Sequence, residues 1–210
     1  MSTDTQRTVG VRTSERGAAT RSALLTAAKE VFITRGFAEA GVTEVVSRAG
    51  ASVGSLYHHF SSKADLYLAL FEEFQARQTQ RSKRAIKEAR AAGRTDPMSL
   101  FLAGARAYLE GCLDERDLAA LFLHGDTPPG FEVTLRDHLR QWTRRTAALF
   151  ADEDELVVVL TGALAAVVQE VTHQENPEAA RAMAERALRI IEVMGRSVAS
   201  GHQEAANLSC

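Results

Sequence analysis

Apolar positions along this chain recur at spacings of three and four, which is the signature of amphipathic helices, and no period-two alternation persuasive of a strand is found. Leu24, Leu25, Ala28, Val31 and Phe32 make one such face, and Gly36 after Arg35 is a left-handed stop for it. The pattern then predicts a short helix at about 43–49 carrying Val45 and Val46, a stop at Gly50, and a second short helix at about 53–59. A long helix is expected from 63 to the neighbourhood of Gly93, with Leu66, Leu70, Phe71 and Phe74 as its stripe and a polar second half. Further helices are expected at 98–113, at 115–124, around Leu135–Leu149, at 155–173 and at 177–199, with "GDTPPG" at 125–130 as a break and the most mobile-looking segment. The expected class is all-α, with about nine helices.

Several details of this pattern point to chemistry. The short helices flanking Gly50 have the length and turn of a helix-turn-helix, which places its second helix in the DNA major groove. Ser52 is a suitable N-cap for that helix. The first turn, Val53-Gly54-Ser55, is built from small side chains that let the backbone approach a groove. Leu56 and Phe60, four apart, share the inward face, which turns Tyr57 and His58 outward toward phosphates. Ser52, Val53 and Ser55 are therefore assigned mainly to base edges, and Tyr57 and His58 mainly to backbone. Lys63 falls in the first turn of the long helix, where a cation opposes the helix dipole. With Ser61 or Ser62 as cap and Asp65 three residues on, it is expected to help hold a phosphate. The adjacent pair His58-His59 has poor chelate spacing, so no metal is expected there.

Charge adds to this picture. The net charge of −2 divides unevenly: residues 1–93 hold 14 Lys/Arg against 9 Asp/Glu, and residues 94–210 hold 11 against 18. The basic half is the one that carries the helix-turn-helix, as a polyanion-binding end requires. Residues 1–17 lack apolar periodicity and are expected to be a disordered basic arm, whose Arg7, Arg12 and Arg16 either touch DNA or do nothing. The two cysteines, Cys112 and Cys210, make no disulfide framework. The apolar run Leu156–Val168 is short of a membrane span. The chain is expected to be cytoplasmic.

The segment "AGASVGSLYHHFSSKADLYLALF", together with "AAKEVFITRGF", resembles the tetracycline-repressor (TetR) family of bacterial transcriptional regulators over about residues 18–78. The resemblance implies that 41–60 is the helix-turn-helix and that Ser55, Tyr57, His58 and Lys63 contact DNA. The family often places Thr or Ser just before helix two. Here the stretch is Ala40-Gly41-Val42, leaving either Thr43 in the role of phosphate ligand or the contact missing. The resemblance further implies a homodimer joined through the last two helices, a palindromic double-stranded DNA operator, and a larger regulatory and dimerisation domain at 79–200 that holds a small-molecule effector, followed by a flexible tail at 201–210.

Candidate effector-lining residues are Phe101, Tyr108, Phe122, His124, Phe131, Trp142, Gln169 and His173, an apolar set with a few polar groups. Such a set favours an apolar or aromatic small molecule. No cofactor, nucleophile elbow, metal-ligand spacing or phosphate loop is found, so an enzyme is not expected. A DNA-binding regulator without effector, and a helical sensor that does not bind DNA, remain as alternatives.

Overall fold

The computed structural model describes residues 4–150 and 154–208, with side chains described for 16–150 and 154–198. Nine helices and no strand occur among the described residues. They are α1 (Asp4–Glu39), α2 (Val42–Arg48), α3 (Val53–His59), α4 (Lys63–Ala91), α5 (Pro97–Asp114), α6 (Arg116–His124), α7 (Phe131–Ala147), α8 (Asp154–His173) and α9 (Pro177–Leu208). They form two compact units: 1–74 with the loop 125–129, and 75–124 with 130–210.

In the first unit, Leu24, Ala28, Val31 and Phe32 of α1 are buried with Val45 of α2, Leu56 of α3, and Leu66, Tyr67 and Phe71 of α4. Tyr67 makes edge contacts with Phe32 (5.3 Å) and Phe37 (5.4 Å). Each fully buried large apolar side chain contributes about 1.5–3 kcal/mol, so this small head owes its stability to a few aromatic and leucine positions. Ser52 caps α3 by accepting from the Ser55 amide (3.0 Å), and Ser62 caps α4 by accepting from Asp65 (3.0 Å). The Asp65 carboxylate reaches back one residue further than a standard capping box, accepting from the amide of Ser61 (2.8 Å).

In the second unit, α8 is long and apolar enough to cross a membrane by composition, yet it is the core of a bundle. Leu156, Val157, Leu160, Leu164, Val168 and Val171 are buried, and α5, α6, α7 and α9 all pack on it. Asp96 caps α5 through the amide of Ser99 (2.9 Å), and Asn176 caps α9 through Glu178 (2.8 Å).

Two expectations differ from the structure. α1 extends back to Asp4, through the stretch expected as a structureless arm, and α9 runs on to Leu208, through the expected tail. Both are continuations of a helix already nucleated. Propagation then adds one hydrogen bond per residue without a new nucleation cost, so apolar periodicity is not required there. The side chains of Arg7 and Arg12 lie outside the described residues. The segment 125–129, expected as a break, groups with the first unit.

Candidate nucleic-acid interface

α3 presents one face to the core and one to solvent. Leu56 and Phe60 are buried, while Val53 is 41% exposed and Tyr57 52% exposed, with Ser52, Gly54 and His58 beside them. Thr43, at the second position of α2, is exposed as well. The cap of α2 is Gly41, which has no side chain to donate or accept, in keeping with the gap in the sequence at that point. Ser55 is half-buried. The Ser52 oxygen is engaged by the Ser55 amide, which leaves its hydroxyl hydrogen for an outside acceptor. His59 packs inward of His58, in ring contact with both His58 (5.2 Å) and Phe60 (6.4 Å). Arg21 lies over the Phe60 ring at 5.3 Å and donates to Glu73 at 2.8 Å, bracing the end of α3.

The first turn of α3 is open by construction. A Cβ added at Gly54 would meet nothing nearer than the Ser52 hydroxyl at 3.9 Å. A helical glycine costs about 1 kcal/mol against alanine, and the protein's own packing does not ask for one here. Gly54→Ala is therefore expected to raise the head's stability by about 0.5–1 kcal/mol. The same change is expected to weaken DNA binding about tenfold, read by thermal unfolding and by anisotropy on one preparation.

Lys63 does not present its ammonium to solvent as a phosphate ligand. Its Nζ donates to the carbonyls of Phe37 (2.8 Å), Ala38 (3.0 Å) and Ala40 (3.1 Å), and lies 4.6 Å from the centroid of the Phe37 ring. An ammonium has three donors, and all three are engaged. The unfavourable position at the start of α4 is offset by the negative end of α1, whose last carbonyls need partners. Sequence alone shows the unfavourable site but not the carbonyls that compensate it.

The eight effector candidates all lie in the second unit but form separate groups. Tyr108 stacks on Trp142 (5.6 Å, 12° between planes), and its hydroxyl donates to Gln75 Oε1 at 3.0 Å. Burial pushes the Tyr108 phenol above its ordinary pKa and the neighbouring Cys112 thiol up to about 12, so both stay protonated at neutral pH. Phe122 and Phe131 are buried together at 6.3 Å. Phe101 meets Phe150 at 6.2 Å. His124 and His173 touch edge-on at 5.2 Å, both exposed. Gln169 is exposed too, and it is its carbonyl that the His124 ring reaches, at 3.2 Å.

A groove of about 320 Å³ between α5 and α9 is lined by none of the eight. Its charges include Arg106, Arg181, Glu110 and Glu185, and Arg106 and Glu185 neutralise each other through a two-point contact (2.9 and 3.1 Å). Gln75 and Gln78, outside the eight candidates, are buried on α4. Their signal was available, since they continue the spacing of Phe71 and Phe74 with polar residues in place of apolar ones.

Residues 24–70 match the model of the bacterial regulatory proteins of the tetR family. Over that stretch the chain is similar to the DNA-binding part of the TetR family. Its similarity to a curated HTH-type transcriptional activator, FasR of Mycolicibacterium smegmatis, is 54% identity over 52 residues, 25% of this chain and 24% of FasR. The repressor BepR of Brucella suis is 39% identical over 59 residues, 28% of each protein. The chain thus covers about a quarter of the length of these two relatives. Among solved structures, the regulator FadR of Bacillus subtilis, in complex with stearoyl-CoA, superposes with a TM-score of 0.66 at 15% identity, covering 81% of this chain and 96% of FadR. That likeness shows a shared all-helical fold over most of the chain.

Proposed function

We propose that this chain is a ligand-responsive transcriptional repressor that reads a palindromic operator as a homodimer and is released by a small apolar molecule held in its second unit. The observation that carries the reading is the outer face of α3, where Val53, Gly54, Tyr57 and His58 stand exposed on a helix whose other face is buried. An exposed valine and tyrosine on a seven-residue helix serve no core, and the small first turn permits backbone approach to a groove.

Dimerisation is supported by a second exposed surface. On α9, Ile190, Val193, Met194 and Val198 are all exposed, at helical spacing; on α8, Val158 and Val159 are too. Gly162 lies one turn further along α8, exposed and with nothing within 4 Å of where its Cβ would be. A glycine in a helix interior with no neighbour in its own protomer fits the close approach of a second helix. A two-fold dimer suits a palindromic operator with half-sites about 34–36 Å apart or a multiple of that. The FadR neighbour was solved with stearoyl-CoA, whose acyl chain is apolar, and this supports an effector with an apolar part.

The test is selection from a random-sequence duplex library, followed by anisotropy on the enriched duplex over a salt series. A palindromic consensus is expected, with a dissociation constant that rises steeply with salt. Tyr57→Phe is expected to weaken binding about tenfold on the enriched and on scrambled duplexes alike, since a phosphate contact positions without specifying. The absence of any enriched sequence sinks the regulator reading. Enriched DNA that no apolar ligand releases leaves a regulator without effector.

A further inference from the structure

The chain reversal between α1 and α2 is held by two side chains distant in sequence. Gly36 adopts φ +76, ending the regular part of α1 and turning the amides of Phe37 and Ala38 out of the helix ladder. The Asp126 carboxylate takes both: Oδ1 accepts from Phe37 (2.8 Å) and Oδ2 from Ala38. The carbonyls of the same turn are taken by Lys63. Donors of the reversal thus face an anion and acceptors face a cation. A Cβ at Gly36 would overlap Asp126 Oδ1, so the glycine supplies both the positive φ and the room for the carboxylate. α2 starts at once from this turn: the amides of Glu44 and Val45 donate to the Gly41 carbonyl.

Asp126 reaches the turn on a short strap. Gly125 and Gly130 (φ +84) bracket Asp126-Thr127-Pro128-Pro129, with Pro128 buried. Two prolines make the middle stiff, and two glycines let its ends pivot. The ends run directly into α6, which stops at His124, and α7, which starts at Phe131.

We infer that Asp126 is a positioning residue for DNA reading, a carboxylate on the α6–α7 strap that sets the Gly36–Ala40 turn and through it α2 and α3. The DNA part of this rests on the regulator reading; the positioning part does not. Without the carboxylate the turn loses the acceptors of its two amides while Lys63 still holds its carbonyls. The helix-turn-helix stays folded but is no longer fixed.

The experiment compares full-length wild type, Asp126→Asn and Asp126→Glu by hydrogen-exchange mass spectrometry, and by anisotropy on the duplex enriched by wild type. In Asp126→Asn, exchange is expected to rise tenfold or more through 37–59, with α8 and α9 unchanged. Affinity is expected to fall about tenfold while the slope of log Kd against log salt stays the same, because no phosphate contact is removed. A side chain that merely stabilised the protein would speed exchange everywhere. Asp126→Glu, which keeps the charge on a longer stem, is expected to recover part of both effects, and it decides the matter if Asp126→Asn loosens the whole protein. Exchange in α2 and α3 at the wild-type rate in both variants overturns the inference, as does full affinity in a variant whose α2 and α3 exchange faster. If wild type binds no duplex, the regulator reading falls, and exchange alone still decides the positioning role.

Discussion

Replacing Ile190 and Val193 together by glutamate is expected to leave a folded monomer that has lost its hold on the operator. Both side chains are largely exposed in the protomer, at 60% and 66%, so the fold itself does not need them. In a two-fold interface each position is used twice. Four apolar side chains at about 1.5 kcal/mol each amount to about 6 kcal/mol of lost burial, or roughly 10⁴ in the dimer dissociation constant. Carboxylates desolvated without a partner add to that loss. Sedimentation velocity is expected to show a monomer at micromolar concentration with an unchanged helical circular dichroism spectrum. Operator affinity is expected to fall at least about 100-fold, because the second half-site is no longer presented at high effective concentration. Val133→Glu, an exposed valine on α7 outside this face, is the control and is expected to leave the dimer intact. A double variant that stays dimeric places the interface elsewhere.

The same surface shows what a single sequence makes legible and what it does not. The apolar excess of α9 is readable, because Ile190 and Val193 stand off the face filled by the buried Ala180, Ala184, Leu188 and Ile191 and make the helix apolar on a second side. The all-α architecture and the limits of α3 follow from periodicity and from the Ser52 cap in the same way. Lys63 is different. Its position against the α4 dipole is visible in the sequence and calls for a compensating partner, but a phosphate and three backbone carbonyls satisfy that demand equally well. Only the folded path of residues 37–40 decides between them. Asp126 carries no local signal at all, since its partners are backbone amides 88 and 89 residues away. The candidate effector residues, aromatics with His124, Gln169 and His173, lie on helices of one unit, yet residue type does not encode which helix face each occupies. Hence Tyr108–Trp142 and Phe122–Phe131 close on each other as pairs.

Gly111→Ala is expected to be the most damaging single methyl in the second unit. Gly111 is buried within α5, and its added Cβ would overlap Gln78 Oε1 and stand 2.8 Å from Arg81 Cδ. Gln78 has nowhere simple to go. It is fully buried, and its Nε2 donates to Glu115 Oε1 at 2.8 Å. Arg77 grips the same carboxylate, with its closest contact at 2.6 Å. Gln78 Oε1 has no hydrogen-bond partner among the described residues and rests against the glycine, a placement only a missing Cβ allows. Overpacking at about 1–3 kcal/mol and loss of a buried hydrogen bond at about 1 kcal/mol oppose a helix-propensity gain of about 1 kcal/mol. The net is about 1–3 kcal/mol, or roughly 3–10 °C in Tm for a chain of this size. Gly104→Ala tests the mechanism, because its Cβ would meet the Ser82 hydroxyl (2.7 Å) and the tip of Ile86 (2.9 Å), flexible ends that can turn away, so its loss is expected to be smaller. Removing the amide first with Gln78→Ala is expected to make the added methyl at Gly111 nearly harmless, a coupling that a double-mutant cycle reads directly. Additive losses in that cycle mean that Gly111 is required by something other than Gln78, with Arg81 then the neighbour to vary.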